Sequence, residues 1–375
     1  MPFELVGSPG TRDLEEALLS VDGVYSVQIA GSPDPSVEAL YVRADRGRNV
    51  QRIVADVRAT AKAEAGIDIA AAHIHVTGVP PERLPATRRI RAIVTTARPR
   101  QWTKNILVFG APATGGVLFE PGVLSSAVAA FVSFSLVASG IYFMNDVVDV
   151  KADLQHPTKR FRPIASGLLS LRLAVALGSI FVAAGLVVGL WGGGAPLVAV
   201  LAGYVALCVA YTFVLRNIAL LDIAGIAAGF LLRAVAGGVA TDVPLSMWFL
   251  IVAGFGSLFL AAGKRRAEYV QLGDERANHR PSLSEYSEEY LRYIQYSSST
   301  VTMAAYTMWA FEGAAGGSLW SGLSIIPFVL GILRYALLLE KGRGDRPEEV
   351  VLADPQLIVL GVSWVLLVAT GVYLQ

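Results

Sequence analysis

From residue 101 onward the chain carries nine apolar segments, at 101–119, 122–145, 171–190, 195–214, 218–239, 246–263, 289–311, 320–339 and 356–374. Each approaches the ~20 residues a helix needs to cross a hydrocarbon layer. Repeated runs of this length mark the region as that of a polytopic membrane protein. Composition agrees: hydrophobic residues make up 54% of 375, charged residues 16%, and mean hydropathy is +0.54. That is too apolar for a soluble domain of this size. The single cysteine, Cys208, lies in an apolar segment. A disulfide framework or cysteine metal cluster within one chain is excluded, and Cys208 reads as a small buried hydrophobe.

Residues 1–90 have a different character, with mixed charge, β-like runs at 3–6, 24–29, 38–42 and 72–76, and helical stretches at 14–20 and 50–65. This order, βαββαβ, predicts a small ferredoxin-like α+β domain. Pro80, Pro81 and Pro85 mark a linker to a second domain at 95–375. The N-terminus opens with Pro2 and Glu4 rather than a basic region and an apolar core, so the first domain is expected to stay in the cytoplasm. It has no glycine-rich phosphate loop. Ligand sensing, oligomer contacts and docking under the bundle all stay open as its role.

Charge in the connections orients the bundle. Those after the first, third, fifth and seventh segments are short and nearly uncharged, whereas the alternate ones hold Lys151, Lys159, Arg160 and Arg162, then Arg216, then Lys264, Arg265, Arg266, Arg276 and Arg280, then Lys341, Arg343 and Arg346. The positive-inside rule places the second group in the cytoplasm and Gln375 outside.

The chemistry concentrates behind the second segment, in Asn145-Asp146-Val147-Val148-Asp149-Val150-Lys151-Ala152-Asp153. At about 100° per residue, Asp146, Asp149 and Asp153 share one helical face, where like charges repel unless a cation sits among them. Mg²⁺ suits carboxylate oxygen and commonly bridges to phosphate. A basic turn follows, His156-Pro157-Thr158-Lys159-Arg160-Phe161-Arg162-Pro163, with guanidinium and ammonium groups suited to phosphate oxygens. Together they point to a pyrophosphate site. Topological charge alone does not explain the acids, which contribute little to orientation. His156 reads as a turn residue. Asp222 and Arg233 share a face of the fifth segment; Arg233 sits deep and is expected to pair with Glu312, a structural role weighed above a catalytic one. Tyr142, Tyr211 and Tyr269 are candidates for ribose or phosphate contact, with interfacial packing as the competing explanation.

The run Asn145-Asp146-x-x-Asp149-x-x-x-Asp153, followed by His156-Pro157-x-Lys159-Arg160-x-Arg162-Pro163-Ile164-Ala165-Ser166-Gly167, resembles the first signature of the UbiA superfamily of intramembrane prenyltransferases. The resemblance extends over about residues 95–375. It implies a nine-helix all-α bundle open laterally to lipid, Mg²⁺ held by the first motif, and transfer between a diphosphate substrate and an acceptor. One departure narrows the branch: where the superfamily carries a second Asp-x-x-x-Asp motif, this chain has Lys264-Arg265-Arg266-Ala267-Glu268. The entry segment Arg98-Pro99-Arg100-Gln101-Trp102-Thr103-Lys104-Asn105 and the stretch Tyr211-x-x-x-Leu215-Arg216-x-Ile218-x-Leu220-Leu221-Asp222 are similar instead to the decaprenyl-phosphate phosphoribosyltransferases.

That branch implies a pentosyl glycosyltransferase of the bacterial plasma membrane, with a cytoplasmic active site, serving cell-wall arabinan precursors. The donor is phosphoribosyl diphosphate and the acceptor a polyprenyl phosphate, of which decaprenyl phosphate is the branch's own. A more anionic pair of substrates needs more cations, which Lys264, Arg265 and Arg266 supply. Asp146, Asp149 and Asp153, with Asn145, are expected to hold Mg²⁺ on the donor. Lys159, Arg160 and Arg162 are expected to grip donor phosphates, with Tyr211, Arg216 and Asp222 as further substrate contacts. Arg98, Arg100 and Lys104 are candidates for the acceptor phosphate, against simple interfacial anchoring with Trp102 as a belt aromatic. Homo-oligomerisation is left open, and no nucleic-acid partner is expected. Two alternatives remain: a UbiA-type prenyltransferase with a prenyl diphosphate donor, and a non-enzymatic transporter or receptor. Dense charge at segment ends rather than at mid-span disfavours the transporter.

Overall fold

The computed structural model describes residues 9–22, 24–30, 39–44, 50–65, 67–70, 73–77, 86–155, 158–272, 281–312, 318–341 and 347–374. The chain forms two compact units, Met1–Ala97 with Tyr142–Gly178, and Arg98–Ile141 with Ser179–Gln375.

In the first unit, helix α1 (Pro9–Leu19), strands β1 (Val24–Ala30) and β2 (Ala39–Ala44), helix α2 (Val50–Ala65) and strand β3 (Ile74–Thr77) build a sheet of order β1-β2-β3. β1 and β2 are antiparallel; β2 and β3 are parallel, with Leu40 opposite Ile74 and Tyr41 opposite His75. Strand alternation sends Leu40, Val42, Ala44 and Ile74 to one face. There they join Leu14 and Leu18 of α1 and Ile53, Val57 and Ala61 of α2, apolar positions four apart, in one buried cluster.

The ferredoxin-like expectation needs correction. That arrangement splits its βαβ unit with an inserted strand, whereas β2 and β3 pair directly across the α2 crossover. In-register packing of Leu40 and Val42 beside Ile74 and Val76 closes the core without an intervening strand. The strand expected at 3–6 lies outside the described residues. The unit also holds helix α3 (Ala86–Ala97).

The second unit is helical. Its entry, expected as a first span, is irregular: a 3₁₀ stretch at Pro99–Phe109 leads into a short helix α4 (Gly110–Thr114). Helix α5 (Val123–Val148) runs onward from there into the acidic segment. The third and fourth expected spans form one long element, α7 (Leu171–Phe213), broken at Gly194, where φ is 67° and ψ −165°. Left-handed φ suits glycine, and Pro196 then restarts the helix. Helices α8 (Leu221–Thr241), α9 (Met247–Leu272), α10 (Pro281–Glu285), α11 (Glu288–Glu312), α12 (Leu319–Glu340), α13 (Pro347–Ala353) and α14 (Pro355–Tyr373) complete the unit.

Among the described residues, 6 helices are long and apolar enough to cross a membrane: α5, α7, α8, α9, α12 and α14. Helix α11 has the length but is more polar, with Gln295, Ser298, Ser299 and Thr302 buried along it. Close packing relies on small residues; a Cβ at Gly237 of α8 would overlap the Val108 carbonyl, which lets the 3₁₀ stretch lie directly on that helix.

Candidate active site

The acidic segment stays helical almost without interruption. Asp149 N bonds Asn145 O and Asp153 N bonds Asp149 O, each at 2.8 Å, so the i to i+4 pattern carries from α5 into helix α6 (Val150–Gln155). Asp146 and Asp153 are consequently on one face, both buried at 3% exposure. Arg162, just past the 3₁₀ turn Lys159–Phe161, supplies the cation that two buried carboxylates demand: its Nη1 donates to Asp146 Oδ1 at 3.2 Å and Asp153 Oδ2 at 2.7 Å. No group of three His, Cys, Asp or Glu side chains converges among the described residues, so half-buried Asp149 stands apart from this pair.

The two carboxylates fit a hard divalent cation. One nitrogen reaches oxygens of both, so both can address a single point. Mg²⁺ takes one or two carboxylates and completes its octahedron with water and phosphate oxygens. Arg162 and a metal would share these oxygens. Lys159 is exposed, and Arg160 is half-buried with its Nε buried and lacking a hydrogen-bond partner among the described residues. His156 lies outside the described residues.

The second unit carries its own charged cluster. Arg265, 1% exposed, donates from Nε to Asp222 Oδ2 at 2.7 Å, from Nη2 to Tyr211 Oη at 2.7 Å and from Nη1 to Glu268. Asp222 also accepts from Ser282 Oγ and Tyr286 Oη, each at 3.1 Å. Tyr286 Oη in turn accepts from Leu220 N, whose φ of 66° marks a strained start to α8. Burial pushes the Tyr286 hydroxyl above its ordinary range, which keeps it a donor. Arg266 donates to Glu288 and Glu340, and its hydrogen bond holds the Glu288 carboxyl below the usual range. Lys264 Nζ lies 4.0 Å from Glu268 Oε1. The basic triplet is thus matched by carboxylates of the chain itself. Arg216 contributes its carbonyl, which accepts from Ser282 at 2.9 Å.

Arg98, at φ 54°, caps the 3₁₀ stretch that also bears Arg100 and Lys104; Lys104 Nζ donates to Gln101 Oε1. Trp102 Nε1 donates to Ser139 Oγ at 3.1 Å.

The expected Arg233–Glu312 pair does not form. Arg233 donates to Asn105 Oδ1 at 2.7 Å, Gly229 O at 2.6 Å and Tyr204 Oη at 2.9 Å, and lies over the Phe134, Tyr204 and Phe230 rings. Glu312 accepts from Trp248 Nε1 instead. Neutral oxygens and aromatic faces satisfy this cation at depth, so no carboxylate is needed. Tyr204, Ser282 and Tyr286 escaped the sequence reading because nothing local marks a neutral partner, and Asn105 entered it only within the entry segment; Glu268, three residues past Arg265, was visible.

Residues 106–369 match the UbiA prenyltransferase family. The decaprenyl-phosphate phosphoribosyltransferase of Mycolicibacterium smegmatis is 42% identical over 311 residues, covering 79% of this chain and 96% of the relative. That of Corynebacterium glutamicum is 39% identical over 300 residues, covering 78% and 90%. Among solved structures, a UbiA homolog from Archaeoglobus fulgidus bound to GPP and Mg²⁺ aligns with a TM-score of 0.59 at 16% identity, covering 75% of this chain and 98% of that one. This last likeness is one of fold.

Proposed function

The chain belongs to the UbiA prenyltransferase family, and on that premise we propose that it transfers the 5-phosphoribosyl group of phosphoribosyl diphosphate to a polyprenyl phosphate, releasing diphosphate. It is an integral membrane protein. The acceptor, decaprenyl phosphate, is taken from the names of its relatives. The observation that carries the chemistry is the convergence of Asp146 and Asp153 on one nitrogen of Arg162.

In this reading Asp146 and Asp153 would hold Mg²⁺ at the donor diphosphate, with Asn145 and the more distant Asp149 as further candidates on the same segment. Bound Mg²⁺ supplies neutralisation of the charge that develops on the leaving group. Lys159, Arg160 and Arg162 hold donor phosphates by charge-assisted hydrogen bonds. The anomeric C–O bond breaks with its electron pair leaving on diphosphate, and an oxygen of the lipid phosphate forms the new bond to the anomeric carbon. That oxygen is already ionised, so no general base is required. Arg98, Arg100 and Lys104 hold the acceptor phosphate. Arg265 and Arg266, engaged by Asp222, Glu268, Glu288 and Glu340, fix the helix ends around Tyr211 and Asp222.

The topology that goes with this reading has nine spans, with the N-terminus and active site cytoplasmic and Gln375 outside. It is supported by the basic residues of the alternate connections and by the break in α7 at Gly194, which falls where this reading divides two spans. The test is Asp146→Asn in lipid-reconstituted protein: transfer is abolished while the melting profile is retained. Full activity in that variant would remove Asp146 from the metal site.

A further inference from the structure

The family match begins at residue 106, so the N-terminal sheet lies outside it. One face of that sheet packs on α1 and α2; the other carries Tyr41 and His75, directly opposite each other on β2 and β3. Their rings stack at 5.1 Å and 22°. The guanidinium carbon of Arg160 lies 4.6 Å from the Tyr41 ring centroid, and 5.0 Å from that of its neighbour Phe161. All of these residues belong to one compact unit.

How a cation is held decides what it can still do. Arg265 and Arg266 are held edge-on by carboxylates, which consume their N–H donors and cancel their charge. Arg160 is held by the aromatic face, which attracts the cation through the ring quadrupole and takes no donor. Among the described residues no carboxylate pairs with it, and its buried Nε has no hydrogen-bond partner. A buried charged donor without an acceptor is costly. The group that relieves it must bring an oxygen, and an anionic one by preference.

We infer that Tyr41 is a positioning residue: the N-terminal sheet holds Arg160 by its π face so that the guanidinium donors stay available to a phosphate oxygen of the donor. This rests on the donor assignment made above. It gives the N-terminal domain a defined task, presenting one cation of the donor-binding turn.

The experiment uses the full chain in lipid, with Tyr41→Leu, which keeps apolar bulk but loses the ring, and Tyr41→Phe, which keeps the face. Each is also made in an Arg160→Ala background. Tyr41→Leu is expected to raise KM for phosphoribosyl diphosphate about three- to tenfold at unchanged kcat, Tyr41→Phe to stay near the unaltered protein, and Tyr41→Leu to add nothing once Arg160 is gone. An unchanged KM in Tyr41→Leu, or an undiminished effect in the Arg160→Ala background, overturns the inference. Absence of transfer by the unaltered protein contradicts the donor assignment instead. Calorimetric binding of inorganic diphosphate with Mg²⁺ then decides the role of Tyr41: weaker binding by Tyr41→Leu supports it, and equal binding overturns it.

Discussion

Arg265 Nε and Asp222 Oδ2 lie 2.7 Å apart with side chains 1% and 0% exposed, so a cation from α9 and an anion from α8 neutralise each other away from water. Breaking one partner leaves an uncompensated buried charge, which costs about 3–5 kcal/mol. Arg265→Met is therefore expected to lower the melting temperature sharply in detergent. Adding Asp222→Leu to it should cost less than the sum of the two single changes, and additive losses would show that the two groups are not coupled.

Two glycines of α8 should respond in opposite ways to the same change. A Cβ at Gly237 would overlap the Val108 carbonyl, whereas at Gly229 the nearest atom is Arg233 Nη1 at 3.6 Å, an ordinary contact. Gly237→Ala is expected to destabilise by about 1–3 kcal/mol through forced backbone displacement. Gly229→Ala should be neutral or gain up to about 1 kcal/mol from helix propensity. Thermal melting of both variants in one detergent checks the contrast.

Asp354 caps α14, accepting from Leu357 N at 3.0 Å, and pairs with Arg334 at 2.7 Å. The hydrogen bond from Arg334 holds its carboxyl below the ordinary range. A depressed folded-state pKa means stability that is present above the unfolded value and is lost as pH falls through the folded one. The melting temperature of Asp354→Asn should therefore fall below that of the unaltered protein at neutral pH, with the gap closing on acidification. A gap independent of pH would assign the effect to capping alone.

Metal binding to Asp146 and Asp153 should stabilise the folded chain by mass action, by about 2.7 kcal/mol at a hundredfold excess over Kd. Mg²⁺ is expected to raise the melting temperature, and chelation to reverse the rise. Asp146→Asn and Asp153→Asn should each reduce the shift; an equal shift in both variants would place the metal elsewhere.

The helical bundle was legible because length and apolarity alone mark a membrane segment, and the gap between the third and fourth apolar segments falls at the break in α7. Spacing along a helix fixes azimuth and places Asp146 and Asp153 on one face, where they share Arg162, while Asp149, expected with them, stands apart from the pair. That Arg162 contacts both was not legible, because the return of the chain through the turn at 158–161 follows no period. Arg233 shows the same limit. Its depth in α8 follows from position, but choosing Asn105 and Tyr204 over Glu312 depends on how neighbouring helices rotate. Pairing of β2 with β3 depends on register, which strand periodicity leaves open.

The most direct test of the donor and acceptor is diphosphate release from phosphoribosyl diphosphate by the purified protein in lipid. Release should require both Mg²⁺ and a polyprenyl phosphate, and should yield a phosphoribosylated lipid in equal amount. Consumption of a prenyl diphosphate with no release from phosphoribosyl diphosphate would contradict the account.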